Sequence, residues 1–285
     1  IFWDLTEMTI GEVKRYAQVT GFRSAAETQG GGLSYEMGFV KKPGWSWRTP
    51  YGVTANDLEP AVHLNAQEAQ TICRFYGKRL PTDSEWVMAA YLEQRSQPKD
   101  GFISGRRYQY PNGDTARGSH CLAGCAEHQG VAPKGALNRG TGHVLVGTTK
   151  PGVNGLFDMG GNVWEWTTSA YAPYPYRKDD GREDVNRWGE RVVRGGNYLS
   201  SDRNIRCSDR HFMFPTARDV YVGFRVVVNS KSRHSIRDGI DLNLREVPAG
   251  SFIMGNDYHV VNNHQTDIEQ FKGSHHSANR AADFD

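Results

Sequence analysis

The sequence predicts an α+β fold in which short helices and short strands are set in much irregular chain. Three observations carry this. Helix starts recur in which Thr or Asn is followed three residues later by Glu, just ahead of apolar residues at helical spacing. Apolar runs of strand length, Val192-Val193 and Phe224 to Val228, read as buried strands. Glycine is abundant, at 32 of 285 residues, and there are 7 tryptophans, a composition that suits long loops pinned by aromatic rings.

The elements follow in order. Thr9-Ile10-Gly11-Glu12 is a capping box, Val13, Tyr16 and Ala17 give the apolar stripe, and Gly21 stops the helix. Residues 22–60 read as loop, rich in Gly, Pro and aromatics. Asn65 and Glu68 cap a second helix running to Tyr76, with Ala69, Ile72, Cys73 and Tyr76 on one face and Gly77 beyond its end. Cys73 therefore faces the core. Thr82 and Glu85 form a third capping box after Pro81, followed by Trp86, Ala89 and Ala90 at i, i+3, i+4. From Ser96 to Thr149 both periods dissolve into polar, glycine-rich chain, and a loop of that length is usually functional or built on special contacts.

The stretch Gly155 to Trp166 comes next. Gly160, Gly161 and Asn162 interrupt any regular element, and Trp164 and Trp166 then flank Glu165. On extended chain the two indoles share one face and the carboxylate points to the other, where it can pair with a cation or bind a metal. A buried tryptophan pair under a tight turn accounts for the same residues without function. Tyr171 to Tyr176 is a further irregular aromatic run.

Composition bounds the function. Hydrophobic content is 38% and charged content 23%, enough for a core. No apolar run reaches the roughly 18 residues of a spanning helix. A net charge of +2 is too balanced to imply a nucleic-acid partner. Four cysteines are too few for a disulfide scaffold. Cys121 and Cys125 either bond to one another, which points to a periplasmic or secreted location, or remain thiols, which leaves a cytoplasmic one open; no leader segment is readable from Ile1 onward. The pair His275-His276 reads as solvated loop. No Gly-rich phosphate loop and no G-x-S-x-G is present.

Five blocks together resemble the formylglycine-generating enzyme (sulfatase-modifying factor) family. They are Thr9 to Gly21; Pro43-Gly44-Trp45-Ser46-Trp47-Arg48-Thr49-Pro50; Gly77-Lys78-Arg79-Leu80-Pro81-Thr82-Asp83-Ser84-Glu85-Trp86; Gly155 to Trp166; and Arg191-Val192-Val193-Arg194-Gly195-Gly196-Asn197-Tyr198 with Gly223-Phe224-Arg225. The resemblance implies a formylglycine-generating-enzyme-like, C-type-lectin-like fold. It also implies a changed order. The family's opening strand resembles Val247-Pro248-Ala249-Gly250-Ser251-Phe252-Ile253-Met254-Gly255, which here follows the closing block. The expectation is one circularly permuted domain over 1–285, with a main body at 1–228, a linker at 229–246 between the family's usual ends, and the permuted strand segment at 247–285. A tandem protein cut inside its second copy is the alternative.

What the resemblance implies about chemistry is mixed. The family reaction uses two cysteines after the R-G-G-S-Y motif to bind copper and the substrate thiol. Ser200 stands at the first of those positions and the second has no counterpart. A hydroxyl does not replace a thiolate at Cu(I), so copper is not expected and neither is conversion of cysteine to formylglycine. None of the four cysteines is expected beside Ser200. Trp45, Trp47, Arg48, Ser200, Ser201, Asp202 and Arg210 fall in the segments that border the family's groove, and they suit a small-molecule or peptide ligand held by stacking and hydrogen bonds. Arg48 and Arg210 are equally well read as structural, bridging carboxylates. Asn162 and Glu165 match a family calcium site, so structural calcium is expected there, with an ion-paired Glu165 as the alternative. The reading is therefore a ligand-binding or accessory protein, or else an oxidase or tailoring enzyme acting on a small metabolite in the same groove.

Overall fold

The computed structural model describes residues 1–125, 137, 141–177, 179–229 and 244–248. Four helices form where the caps demand them. α1 (Ile10–Thr20), α3 (Ala66–Phe75) and α4 (Asp83–Tyr91) start at Thr9, Asn65 and Thr82, and each cap is reciprocal: its side chain accepts from the N3 amide, and the N3 glutamate accepts from the cap amide. Gly21 ends α1 at φ 72°, a conformation that costs a residue with a Cβ. α2 (Ala25–Thr28) carries the same box, Ser24 with Glu27, inside the stretch expected to be loop. A hairpin of β2 (Gly32–Tyr35) and β3 (Phe39–Lys42) lies in the same stretch, turned through Met37 and Gly38 at positive φ.

The main sheet has four strands, in the order β6 (His211–Met213), β5 (Arg191–Arg194), β4 (Trp164–Ala170), β7 (Val222–Gly223). β4 is antiparallel to β5, with Trp166 opposite Val193, and parallel to β7. Every residue of β4 is buried. As the alternation requires, Trp164 and Trp166 join one core with Ile10, Val13, Ile72, Cys73 and Phe224, while Glu165 turns the other way. A second core gathers Trp3, Trp86, Val87, Tyr91, Leu156 and Val227.

A three-stranded sheet joins the two ends of the described chain. β1 (Phe2–Asp4) lies between β8 (Val227–Val228) and β9 (Leu244–Glu246), antiparallel to both. Val247 extends the pairing by donating its amide to the Ile1 carbonyl at 2.9 Å. The returning strand thus starts at Leu244, inside the stretch expected to be linker up to Glu246. The expected strand around Phe252, the rest of the permuted segment beyond it and His275-His276 lie outside the described residues.

Candidate functional site

The side chains expected along the groove and at the calcium site separate into four neighbourhoods. In the first, Trp45 packs edge-on against Tyr51 (centroids 5.6 Å) and His63 (6.0 Å). The Tyr51 hydroxyl lies 3.1 Å from His143 Nδ1, and His143 Nε2 lies 2.8 Å from Glu59 Oε2. Tyr198 closes this group, tilted against Tyr221 at 5.7 Å and hydrogen-bonded to Tyr51. Beside it lies Asp219, with Oδ1 accepting from the Tyr221 amide at 2.9 Å. Asp219 is 1% exposed, and its Oδ2 takes no hydrogen bond among the described residues. Burial pushes its carboxyl up to about 7, against the pull of the Tyr221 and Val222 amides.

Tyr198 leads into the Ser200 turn. The Ser200 hydroxyl accepts from the Asn197 amide (2.9 Å) and donates to Asn197 Oδ1 (3.2 Å), so the side chain is locked and buried. Ser201 opens a single 3₁₀ turn, Asp202–Ile205, capped with Asn204. The segment after Cys121 runs alongside: Leu122 donates to the Ser200 carbonyl at 2.9 Å, and Asp202 donates to the Ala123 carbonyl at 2.8 Å. Gly124 is required by this approach, since a Cβ there would meet Asp202 Cγ at 2.6 Å. Cys121 and Cys125 are joined by a disulfide that closes this loop. The loop between the two cysteines therefore runs beside the Ser200 turn, with its two sulfurs bonded to one another.

The second neighbourhood corrects Trp47 and resolves Arg48. Trp47 is 0% exposed and belongs to the main core, with its indole N–H given to Glu27 Oε2 at 2.9 Å. Arg48 lies over the Trp47 ring at 4.0 Å and donates to Glu27 Oε1 at 3.0 Å. The burial of Glu27 raises its carboxyl, but hydrogen bonds from Ser24, Arg48 and Trp47 outweigh that and hold it below the usual range. Trp47 cannot touch a ligand, and Arg48 already serves a carboxylate.

Arg210 is placed differently. It lies between two tyrosine rings, 4.3 Å from Tyr171 and 4.1 Å from Tyr174, with no carboxylate partner among the described residues. These contacts end a continuous stack. Trp164 packs on His211 (5.3 Å), His211 on Phe212 (5.6 Å), and Phe212 on Tyr171 (4.7 Å). β6 makes the stack possible by pairing with β5, so that His211 lies opposite Val193 and Phe212 opposite Val192. The Tyr174 hydroxyl is fixed from below by Arg194 Nη2 at 3.0 Å. Burial alone would lower the pKa of Arg194, but Asp83, at 2.6 Å, more than offsets it.

The fourth neighbourhood holds Asn162 and Glu165. Asn162 adopts φ 59°, gives its amide N–H to Glu7 Oε1 (3.0 Å), and accepts from the Val144 amide (2.9 Å). Glu165 accepts from Trp86 Nε1 at 2.7 Å and from Arg225 Nε and Nη2, at 2.7 and 2.6 Å. The two side chains thus serve different partners and form no common oxygen shell. A cation at Glu165 would stand against a guanidinium, so this pair does not fit calcium as the sequence suggested, and Glu165 takes the ion-paired alternative. Among the described residues no group of three or more His, Cys, Asp or Glu side chains could hold a metal.

Sequence reasoning missed the Glu59–His143–Tyr51 chain and Asp219. The first lies within two segments read as loop. The second carries no local signal beyond an acid next to a strand.

The comparisons with known proteins agree with this frame. The sulfatase-modifying factor enzyme 1-like domain matches residues 2–230. The formylglycine-generating enzyme of Streptomyces coelicolor is 31% identical over 200 residues, which are 66% of this chain and 59% of that enzyme. Hercynine oxygenase of Mycolicibacterium thermoresistibile is 27% identical over 210 residues, 64% of this chain and 43% of that protein. The chain thus spans less than two thirds of the length of these relatives. PvdO from Pseudomonas aeruginosa shares the fold, at 18% identity and a TM-score of 0.51, covering 78% of this chain and 77% of that one. The Trp164-Glu165-Trp166 strand, the Arg194–Asp83 and Arg225–Glu165 pairs built from its motifs, and the match across most of its length lead to one conclusion: the chain belongs to the formylglycine-generating enzyme (sulfatase-modifying factor) family.

Proposed function

We propose that this member of the family does not convert cysteine to formylglycine and instead binds a small-molecule or peptide ligand that carries an anionic group. The Ser200 turn carries this reading. A hydroxyl already committed to Asn197 stands where the family reaction needs a thiolate. The cysteines offer no substitute. Cys121 and Cys125 are bonded to one another, Cys73 is buried in the core, and burial raises the Cys207 thiol above its usual value. No dithiolate is available to hold Cu(I). Arg210 supports the ligand chemistry. A guanidinium stacked between two rings is held in plane, and its N–H edges stay available for a carboxylate, sulfate or phosphate.

The test is direct. The protein is incubated with a cysteine-containing sulfatase peptide, Cu(I), oxygen and reductant, and the peptide is weighed by mass spectrometry. The thiol is expected to survive. Its replacement by an aldehyde would overturn the reading.

A second reading, a tailoring enzyme on a small metabolite, draws on the likeness to hercynine oxygenase and on Asp219. A buried carboxyl held near neutrality beside Tyr198 and Tyr51 has the proton affinity of a general acid or base. The Cys121–Cys125 bond favours an oxidising compartment, periplasmic or secreted. The pairing of β9 with β1 supports a permuted order of the family's strands.

A further inference from the structure

Residues 120–123 form a strap across two turns that are far apart in sequence. At its start the His120 carbonyl accepts from the Asn162 amide at 2.8 Å, and His120 bridges in parallel to Gly161. Gly161 is required there, since a Cβ on it would meet the His120 oxygen at 2.1 Å. Further along, Ala123 bridges in parallel to Ser201. Leu122 donates to the Ser200 carbonyl at 2.9 Å, and the Ala123 carbonyl accepts from Asp202 at 2.8 Å. The His120 ring lies along Tyr198, with centroids 6.5 Å apart and planes at 25°. One short segment therefore ties the Gly161-Asn162 turn to the Ser200 turn.

Little packing holds it. Leu122, Ala123 and Gly124 are all exposed, Leu122 by 67%. A segment held by backbone hydrogen bonds with few buried contacts has low local stability. Its far end is fastened by a covalent bond instead. Cys125 is 2% exposed in a small core with Tyr110, Ala116 and Ile205, and its sulfur is bonded to that of Cys121, which is only partly covered. The bonded cysteines are separated by 4 in sequence. Closing so short a loop shifts an opening equilibrium about thirtyfold by the chain-entropy estimate. A hydrogen bond of the strap contributes about fivefold. The bond thus outweighs any one of them.

We propose that Cys121–Cys125 is a thiol-exchange site and that the bond is a latch: a dithiol reductant opens it, and the strap then lifts from both turns. The unequal cover of the two sulfurs sets the order of events. A thiolate of the reductant attacks Cys121 Sγ, the sulfur–sulfur bond breaks, and Cys125 leaves as a thiolate and takes a proton. The second thiolate of the reductant attacks its own sulfur in the mixed disulfide and releases Cys121. The reductant departs as a disulfide, and its two electrons remain on the protein as two thiols. The latch is separate from the Arg210 stack, so it stands whether or not that stack binds an anion.

Amide hydrogen exchange of the full chain tests this, before and after treatment with dithiothreitol or reduced thioredoxin, with mass spectrometry reporting the state of the two cysteines. Reduction is expected in the native protein. Exchange at Leu122, Asn162 and Asp202 is expected to rise together by about tenfold or more, while the amides of α1, α3 and β4 keep their rates and reoxidation restores the first pattern. Opening by dithiothreitol alone assigns the site to small dithiols; opening by thioredoxin assigns it to a protein one. The double variant Cys121→Ser with Cys125→Ser is expected to show the open pattern without reductant. A bond that yields only when the chain is unfolded overturns the exchange site. Unchanged exchange at Asn162 in the reduced protein overturns the latch, as does an equal rise in the helices, which would make the bond a general stabiliser.

Discussion

Arg225 holds Glu165 with one edge of its guanidinium, Nε to Oε2 at 2.7 Å and Nη2 to Oε1 at 2.6 Å, and both side chains are fully buried. Removing one partner strands the other charge in the core. Glu165→Gln is expected to destabilise the protein by about 3–5 kcal/mol, measured by denaturant unfolding. Because both Glu165 oxygens already accept from Arg225 and Trp86, EGTA is expected to leave the melting temperature unchanged. A fall on chelation, reversed by calcium, would show that a metal stabilises the native state after all.

Asp219 gives a pH dependence of definite sign. Its carboxyl binds a proton more tightly in the folded protein, at about 7, than at its ordinary value of 3.8. The stabilisation this provides is full below about 4 and is lost as pH rises through about 7. Asparagine keeps the acceptor for the Tyr221 amide and cannot ionise. Asp219→Asn is therefore expected to match the parent near pH 4 and to exceed it in stability by a few kcal/mol at pH 8, since each pKa unit is worth about 1.4 kcal/mol. Stability curves that run parallel from pH 4 to 8 would remove Asp219 from the titrating set.

The three long helices were legible because each start writes its own chemistry, a Thr or Asn accepting from an amide three residues on and a Glu answering it. The same pair, Ser24 and Glu27, was overlooked because its helix is four residues long and has no stripe to draw attention. The face-splitting of Trp164, Glu165 and Trp166 followed from strand alternation alone. Trp47 was misplaced at a rim for the opposite reason. Its ring joins the main core and its indole N–H goes to Glu27, 20 residues away across a short hairpin, a pairing no local period announces. The partner of Glu165, Arg225, is 60 residues distant, and the choice between an ion pair and a metal ligand is made by that long-range contact. Local pattern supplies elements and faces; pairings across the core come only with the tertiary structure.

The disulfide should be the readiest point of perturbation. Cys121 and Cys125 are four residues apart, and closing so short a loop contributes about 2 kcal/mol by the chain-entropy estimate. Mild reduction is expected to expose two thiols to a labelling reagent, while buried Cys73 reacts only on unfolding and half-buried Cys207, its thiol raised by desolvation, reacts more slowly. Amide exchange at Leu122 and Asp202 should rise with reduction, because their hydrogen bonds tie that loop to the Ser200 turn. Labelling of Cys121 and Cys125 in the native protein without reductant would mean that the bond does not form.

Restoring the first thiol should not restore the family reaction. Ser200→Cys places a sulfur where the family has one, but Cu(I) needs a second soft ligand. Ile205 and Arg206, which follow in the 3₁₀ turn and just beyond it, offer none, and Ile205 is committed to a small core with Tyr110 and Cys125. Cys207 lies beyond, its amide bonded to the Gln109 carbonyl at 3.0 Å and its carbonyl facing Arg194. The larger sulfur also loses the hydroxyl's hydrogen bonds to Asn197, so the turn is expected to lose about 1 kcal/mol. The variant is expected to yield no aldehyde on a cysteine-containing sulfatase peptide with Cu(I) and oxygen, and to bind Cu(I) no more tightly than the parent in a competition titration with a chromophoric chelator. Tight one-to-one Cu(I) binding by Ser200→Cys would reveal a second soft ligand within reach of that position and reopen the oxidase chemistry.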